Sequence, residues 1–343
     1  MARFGHAQHG TVGPAHGSCA RDGATDSGWA VVGCVWQQGG SLSVVFLVTQ
    51  QLSYHPSIGD RVVWRVVDQG GHLHLVPCFP LIFPAILIAW QPLILAIAGL
   101  TMLVGVFGAM AVNTMRRVLS FHIISQVGYM VLGLGLAASS DRSAATFGMA
   151  AGILYLVHHM IVKTALLMAG GAAEMEVGSG SLLHNQLAGL IGRRTGLAVV
   201  FFLAAMALAG IPPMSGFVSK LSLLEGALAG ENWLIAAVSL IVSFFTLLSM
   251  VRLWQKAFWG QATEPLSPFA PMTRPFRRWL TLAPISLLVA LSLAIGIFGG
   301  TVFHWSEIAA HQVLDREGYI QQVAPTDEIP VIADKSNGDG EHR

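Results

Sequence analysis

The chain has 343 residues, of which 54% are hydrophobic and only 11% charged, and its formal net charge is +1. A soluble domain is roughly a quarter charged, so the composition excludes an ordinary soluble globule and points to a membrane-embedded chain. The near-neutral balance argues against an acidic partner such as nucleic acid. The three cysteines, Cys19, Cys34 and Cys78, match no zinc, redox or disulfide spacing.

Residues 1–78 differ from everything after them. They are rich in Gly, His and Gln, hold short β-like patches such as SLSVVFLV, and contain neither a bilayer-length apolar run nor a signal-peptide core. His6, His9 and His16 are scattered through a Gly-rich stretch and define no metal site. This quarter is expected to be unstructured, and no metal or cofactor is expected anywhere in the chain.

From Phe83 the chain becomes strongly apolar. A membrane-crossing helix needs about 20 mostly apolar residues, and six candidates follow: Ala85–Met110, Val118–Ala138, Ala144–Gly170, Leu197–Leu228, Trp233–Val251 and Leu280–Val302. The fourth is interrupted at Pro212-Pro213. The predicted fold is therefore an all-α polytopic bundle over residues 79–303 with one proline-broken helix. A polar segment, 304–343, follows and is expected to form a short amphipathic helix and then disorder. If the spans alternate, Arg116, Arg117, Arg193, Arg194, Arg252, Lys256, Arg274, Arg277 and Arg278 share one side, which the positive-inside rule makes cytoplasmic. Only Arg142 lies in the short loops opposite. That alternation requires Leu197–Leu228 to cross once, and it leaves the C-terminal tail outside the cytoplasm.

Two apolar spans carry a lysine, a costly residue at membrane depth that needs a partner or water. In YLVHHMIVKTALLMAGG (Tyr155–Gly171), His159 and Lys163 are four apart and share a helix face, while His158 lies about 100° around from His159. Imidazole titrates near neutrality, so the pair suits a proton relay. The plainer reading is a Lys163 that snorkels to an interface beside two satisfied core histidines. In FFLAAMALAGIPPMSGFVSKLSLLEGAL (Phe201–Leu228), Pro212 and Pro213 remove two backbone donors and free carbonyls near Ala207 to Ala209. Lys220 follows about two turns after the break. Broken helices at this depth mark ion sites in transporters; the alternative is a packing kink with Lys220 paired to another subunit. Glu225, about 140° further around, is a supporting candidate with no pairing to Lys220 within the helix. His122, Ser125, Gln126 and Tyr129 put polar groups on the second span. Interhelical hydrogen bonding accounts for them, and among them only His122 is a titrating candidate. No nucleotide-binding glycine motif or Cys cluster occurs, so any redox or hydrolytic catalysis would belong to other subunits.

RRVLSFHIISQVGYMVLGLGL (Arg116–Leu136), HHMIVKTALLMAGG and LAGIPPMSGFVSKLSLLEGAL (Leu208–Leu228) resemble the antiporter-like membrane subunits. This family includes the D subunits of Mrp-type sodium/proton antiporters, which the motifs look most like, and the proton-pumping subunits of respiratory complex I. The resemblance covers about Phe79 to Phe303. It implies about fourteen helices in two inverted repeats, with a hydrated chain of lysine, histidine and glutamate through the middle. It implies a proton path over His159, Lys163 and Lys220, with His122, His158 and Glu225 in support and the helix break at Pro212 and Pro213. It also implies a multisubunit complex in the cell (inner) membrane that handles protons and monovalent cations. The runner-up is a membrane-arm subunit of an NADH:quinone oxidoreductase. The family's early glutamate and its first broken-helix lysine are missing from the chain as written, so an inactive fragment is a third reading.

The missing lysine helix lies one base out of register. Bases two and three of each codon in Gly40–Cys78, joined to base one of the next with wobble free, can read GLFPLFSWLPSSYHT and later FGGLLTKVGIYTLYRV. Gln69 followed by Gly70 must then give lysine or arginine. Residues up to about Cys78 are therefore expected to come from a shifted frame, by sequencing error or real frameshift.

Overall fold

The computed structural model describes residues 84–177, 182, 189–260 and 275–323. The expectations for 1–78, for Arg274 and for the tail beyond 323 lie outside the described residues. Every described element is an α-helix: α1 Pro84–Ala89, α2 Gln91–Ala111, α3 Met115–Ala137, α4 Arg142–Val177, α5 Leu190–Arg193, α6 Thr195–Ala209, α7 Ser215–Ala229, α8 Trp233–Phe258, α9 Pro275–Ile297, α10 Gly299–Leu314 and α11 Arg316–Val323.

The first expected span is divided at Trp90, where Pro92 opens α2 instead of continuing α1. Four helices, α2, α3, α4 and α8, are long and apolar enough to cross a membrane. The outward stripe of α2, formed by Leu93, Ile97, Leu100, Val104 and Phe107, is exposed and wholly apolar, as a lipid-facing surface requires. Inward, helices meet through small residues: a Cβ on Gly133 of α3 would lie 2.5 Å from Gly152 Cα of α4. Such backbone approach replaces the hydrophobic drive that lipid does not supply.

Contacts at the helix ends fix the course of the chain. Arg116 at the start of α3 pairs with Glu174 near the end of α4, and Arg194 before α6 pairs with Glu176. Trp254 Nε1 near the end of α8 donates to Ala198 O near the start of α6 at 3.2 Å, and Arg252 reaches Met110 O at the end of α2. The basic residues Arg116, Arg194 and Arg252 thus gather at one end. Gly226 of α7 lies against Leu136 and Phe147, at the other end of α3 and α4. So α6 starts at the basic end and α7 finishes near the other, with the chain interrupted at Gly210–Met214 between them.

The last span differs from its expected extent. α9 runs from the basic end, where Leu282 faces Gly196, to Gly296, which lies against Pro213 O at the level of the break. At Phe298 the chain turns by 87° into α10, so the break falls before Val302, and His304 lies inside a helix. Gly296 and Gly299 supply the physical reason: a Cβ on Gly296 would sit 2.0 Å from Pro213 O, and one on Gly299 2.8 Å from the Val218 side chain. α10 then runs past Phe147 to Ala310, which packs with Ala137, Met149 and Ala150 near the opposite end.

Candidate functional site in the helix interior

The break between α6 and α7 follows from its sequence. Gly210 takes a left-handed conformation (φ +90°) that caps α6, its N–H bonding Met206 O at 3.1 Å. In an unbroken helix the N–H of residue 212 would meet Leu208 O, and that of 213 would meet Ala209 O. Proline has no N–H, so these two carbonyls lose their partners. Lys220 supplies the replacement. Its Nζ donates to Leu208 O and Ala209 O, both at 3.0 Å, and to Ser243 Oγ of α8 at 3.2 Å. The ammonium also lies 5.2 Å from the Tyr129 ring centroid. Gly216 lets α7 lie against the end of α6, since a Cβ there would meet Ala207 O at 1.8 Å.

A row of polar groups connects this seat with Lys163. Lys163 is 3% exposed, and its Nζ donates to Leu119 O of α3; the amine stays inside and does not snorkel. One turn along α3, His122 Nε2 meets Ser249 Oγ of α8 at 2.9 Å. Next, Gln126 Oε1 accepts from the Tyr155 hydroxyl of α4. Tyr155 stacks on Tyr129 with centroids 5.2 Å apart, and Tyr129 OH donates to Ser239 O at 2.6 Å. Leu119, His122, Gln126 and Tyr129 form one helical stripe spanning about 15 Å along α3. On α4 the matching stripe is Tyr155, His159 and Lys163, at spacings of four.

His158 points elsewhere, as its offset from His159 predicts. Its Nδ1 lies 2.7 Å from Ser215 Oγ at the start of α7, and that hydroxyl lies 2.7 Å from Ser292 Oγ of α9. All three are buried. His122 Nδ1, Gln126 Nε2 and His158 Nε2 are buried without a hydrogen-bond partner, a rare condition that favours sites able to take up water or a proton.

The structure therefore brings together His122, His158, His159, Lys163 and Lys220 in the interior, with Pro212 and Pro213 setting the seat of Lys220. Glu225 is exposed on α7 and stands apart from the row. Sequence reasoning missed Tyr155, Ser215, Ser243, Ser249 and Ser292. Serine in an apolar helix carries no periodic signal, and each partner lies 23 residues or more away in the chain. Among the described residues no cluster of His, Cys, Asp and Glu is arranged to hold a metal ion.

A polytopic helical fold with a lysine seated on a proline-broken helix and a buried Lys–His row defines an antiporter-like membrane subunit. The model of the transmembrane family of NADH:quinone oxidoreductase and Mrp antiporters matches residues 66–246, more than half of the chain, and the chain belongs to that family. It is 42% identical over 231 residues to the D subunit of the Na(+)/H(+) antiporter of Alkalihalophilus pseudofirmus, covering 67% of this chain and 44% of that protein. A chain of the Mrp complex from Dietzia is 33% identical with a TM-score of 0.65, covering 74% of this chain and 53% of that one. Respiratory complex I from Thermus thermophilus shares the fold at 22% identity and a TM-score of 0.57, covering 72% and 51%. The chain spans about half the length of the relatives it matches.

Proposed function

We propose that the chain is a proton-translocating subunit of a multisubunit monovalent cation/proton antiporter, with sodium as the exchanged cation. The observation that carries this reading is the seat of Lys220: an ammonium held by two carbonyls that the proline pair leaves open, at one end of a buried Lys–His row. Protons move over Lys163, His159, His122 and His158 to Lys220, with water filling the gaps between side chains. The identity of 42% to an antiporter subunit, against 22% to complex I, favours the antiporter over the oxidoreductase arm. The basic end faces the cytoplasm under the positive-inside rule, which places the end of α10 on the far side of the inner membrane. Partner subunits complete the complex.

The test is growth of a sodium-sensitive, antiporter-deficient host expressing the chain with its partner subunits. Growth that is lost on Lys220→Ala supports the reading; growth that survives it overturns the reading, and no growth with the chain as written favours the inactive-fragment alternative. Residues 1–78 are proposed to come from a shifted frame. Nucleotide sequence across codons 1–85 that does not encode the lysine-bearing helix one base along refutes that.

A further inference from the structure

At the basic end, a crevice opens between α2, α3 and α8. Met110, Asn113, Val118, Arg252 and Lys256 line it, and Ser249 forms part of its wall. Ser249 is 4% exposed, and its hydroxyl lies 2.9 Å from His122 Nε2. The ring of His122 is fully buried, and its other nitrogen, Nδ1, has no hydrogen-bond partner. The imidazole thus stands between two regions, with one nitrogen on the serine that lines the crevice and the other within the helix bundle. Imidazole is the side chain that can accept a proton at one nitrogen and release one from the other.

We propose that this crevice is a proton entrance, with Ser249 passing protons from water at the basic end to His122. The proposal rests on the proton path through the helix interior and adds the place where that path meets water. The Ser249 hydroxyl gives its hydrogen to Nε2 and takes one from a water in the crevice, whose hydroxide passes to the solvent at the basic end; the imidazolium releases the Nδ1 hydrogen to a water within the bundle. The ring is left neutral with its hydrogen on Nε2, and tautomer exchange through water within the bundle returns the hydrogen to Nδ1 and restores the starting state. Charge makes the entrance selective. Arg252 and Lys256 line it and no described lining residue is acidic, so a sodium ion meets repulsion there, while a proton passed through hydrogen bonds enters without a free cation crossing the mouth.

Everted membrane vesicles carrying the full chain and its partner subunits provide the test, read as the rate of sodium-driven collapse of a pH gradient. Ser249→Ala lowers the rate by about a hundredfold or more, while Ser249→Thr, which keeps the hydroxyl, stays within about twofold. Lys256→Glu makes the rate sensitive to sodium on the basic side. A wild-type rate in Ser249→Ala, together with loss of transport in Lys220→Ala, overturns the entrance and leaves the path standing. A wild-type rate in Lys220→Ala overturns the path itself. Solvent access gives a readout independent of activity. In a chain with Cys19, Cys34 and Cys78 replaced by Ala, Ser249→Cys reacts with a small neutral thiol reagent far faster than with a cationic one. Protection from both reagents overturns the proposal.

Discussion

Lys163 and Lys220 are both buried lysines on membrane helices, and they are held in opposite ways. Lys163 projects from the continuous helix α4 onto Leu119 O of α3, a carbonyl that keeps its own helical donor because α3 is unbroken there. Lys220 projects from a half-helix onto Leu208 O and Ala209 O, which have lost their helical donors to Pro212 and Pro213. The first lysine adds a bond to a satisfied group; the second completes a deficient one. On the proposed path, position 163 carries charge alone, whereas position 220 joins charge to the integrity of the broken helix.

The comparison breaks most easily at the glycines that seat each lysine. Gly216→Ala places a Cβ 1.8 Å from Ala207 O with no flexible neighbour to yield, and costs on the order of 4 kcal/mol in unfolding from detergent. Gly170→Ala, on the Lys163 side, meets the flexible end of Leu119 at 3.1 Å and changes stability by no more than about 1 kcal/mol. Equal losses at the two sites would erase the distinction between broken and continuous helix.

Next in size is the pair of lysine variants. Both Lys220→Ala and Lys163→Ala abolish transport in the vesicle assay. Lys220→Ala also destabilises by about 2 kcal/mol more than Lys163→Ala, because it leaves the buried Leu208 O unpaired and Ala209 O with Ser243 Oγ as its remaining side-chain donor. Matching unfolding midpoints would show that the carbonyls find other donors. Gly210→Ala has a smaller effect: the left-handed backbone costs about 1 to 2 kcal/mol with a Cβ. The same Cβ lies 2.9 Å from Lys220 Cδ, so transport falls although every titratable group remains. The smallest effect belongs to the start of α4. The Ser143 hydroxyl and N–H hold the exposed Asp141 carboxyl below the usual carboxylate range. A lowered value in the folded chain stabilises above the unfolded value and fades as pH falls through the folded one. The stability gap between the wild type and Asp141→Ala is therefore constant down to about pH 5 and narrows below about pH 4.

Much of this was legible in the sequence, and the reasons differ by residue. Proline chemistry locates its own consequence, so the freed carbonyls were expected near Ala207 to Ala209 and occur at Leu208 and Ala209. Helical spacing separated His158 from His159 and joined His159 to Lys163. Apolar length found α2, α3, α4 and α8 as spans, but it also counted six spans where four helices, or five with the bent pair of α9 and α10, are long and apolar enough to cross. The bend at Phe298 was hidden because no polar residue interrupts the run there, although Gly296, Gly299 and Gly300 were visible as a cluster. The serines were hidden for a different reason: Ser215, Ser243, Ser249 and Ser292 matter only through partners on other helices. Glu225 had the right chemistry within the motif, yet it is exposed while Lys220 turns back to the break.

The three oxygens around Lys220 carry one more implication. An ammonium has three hydrogens, and Leu208 O, Ala209 O and Ser243 Oγ take all three, while Ser243 sends its own hydrogen to Ala209 O at 3.1 Å. When the amine gives up a proton, two hydrogens remain for the two carbonyls, and its new lone pair faces a hydroxyl that needs only to rotate toward it. Every hydrogen keeps an acceptor on both sides of the transfer, and besides nitrogen the heavy atoms whose bonding changes are the Ser243 oxygen and Ala209 O, which keeps the amine and gives up the hydroxyl.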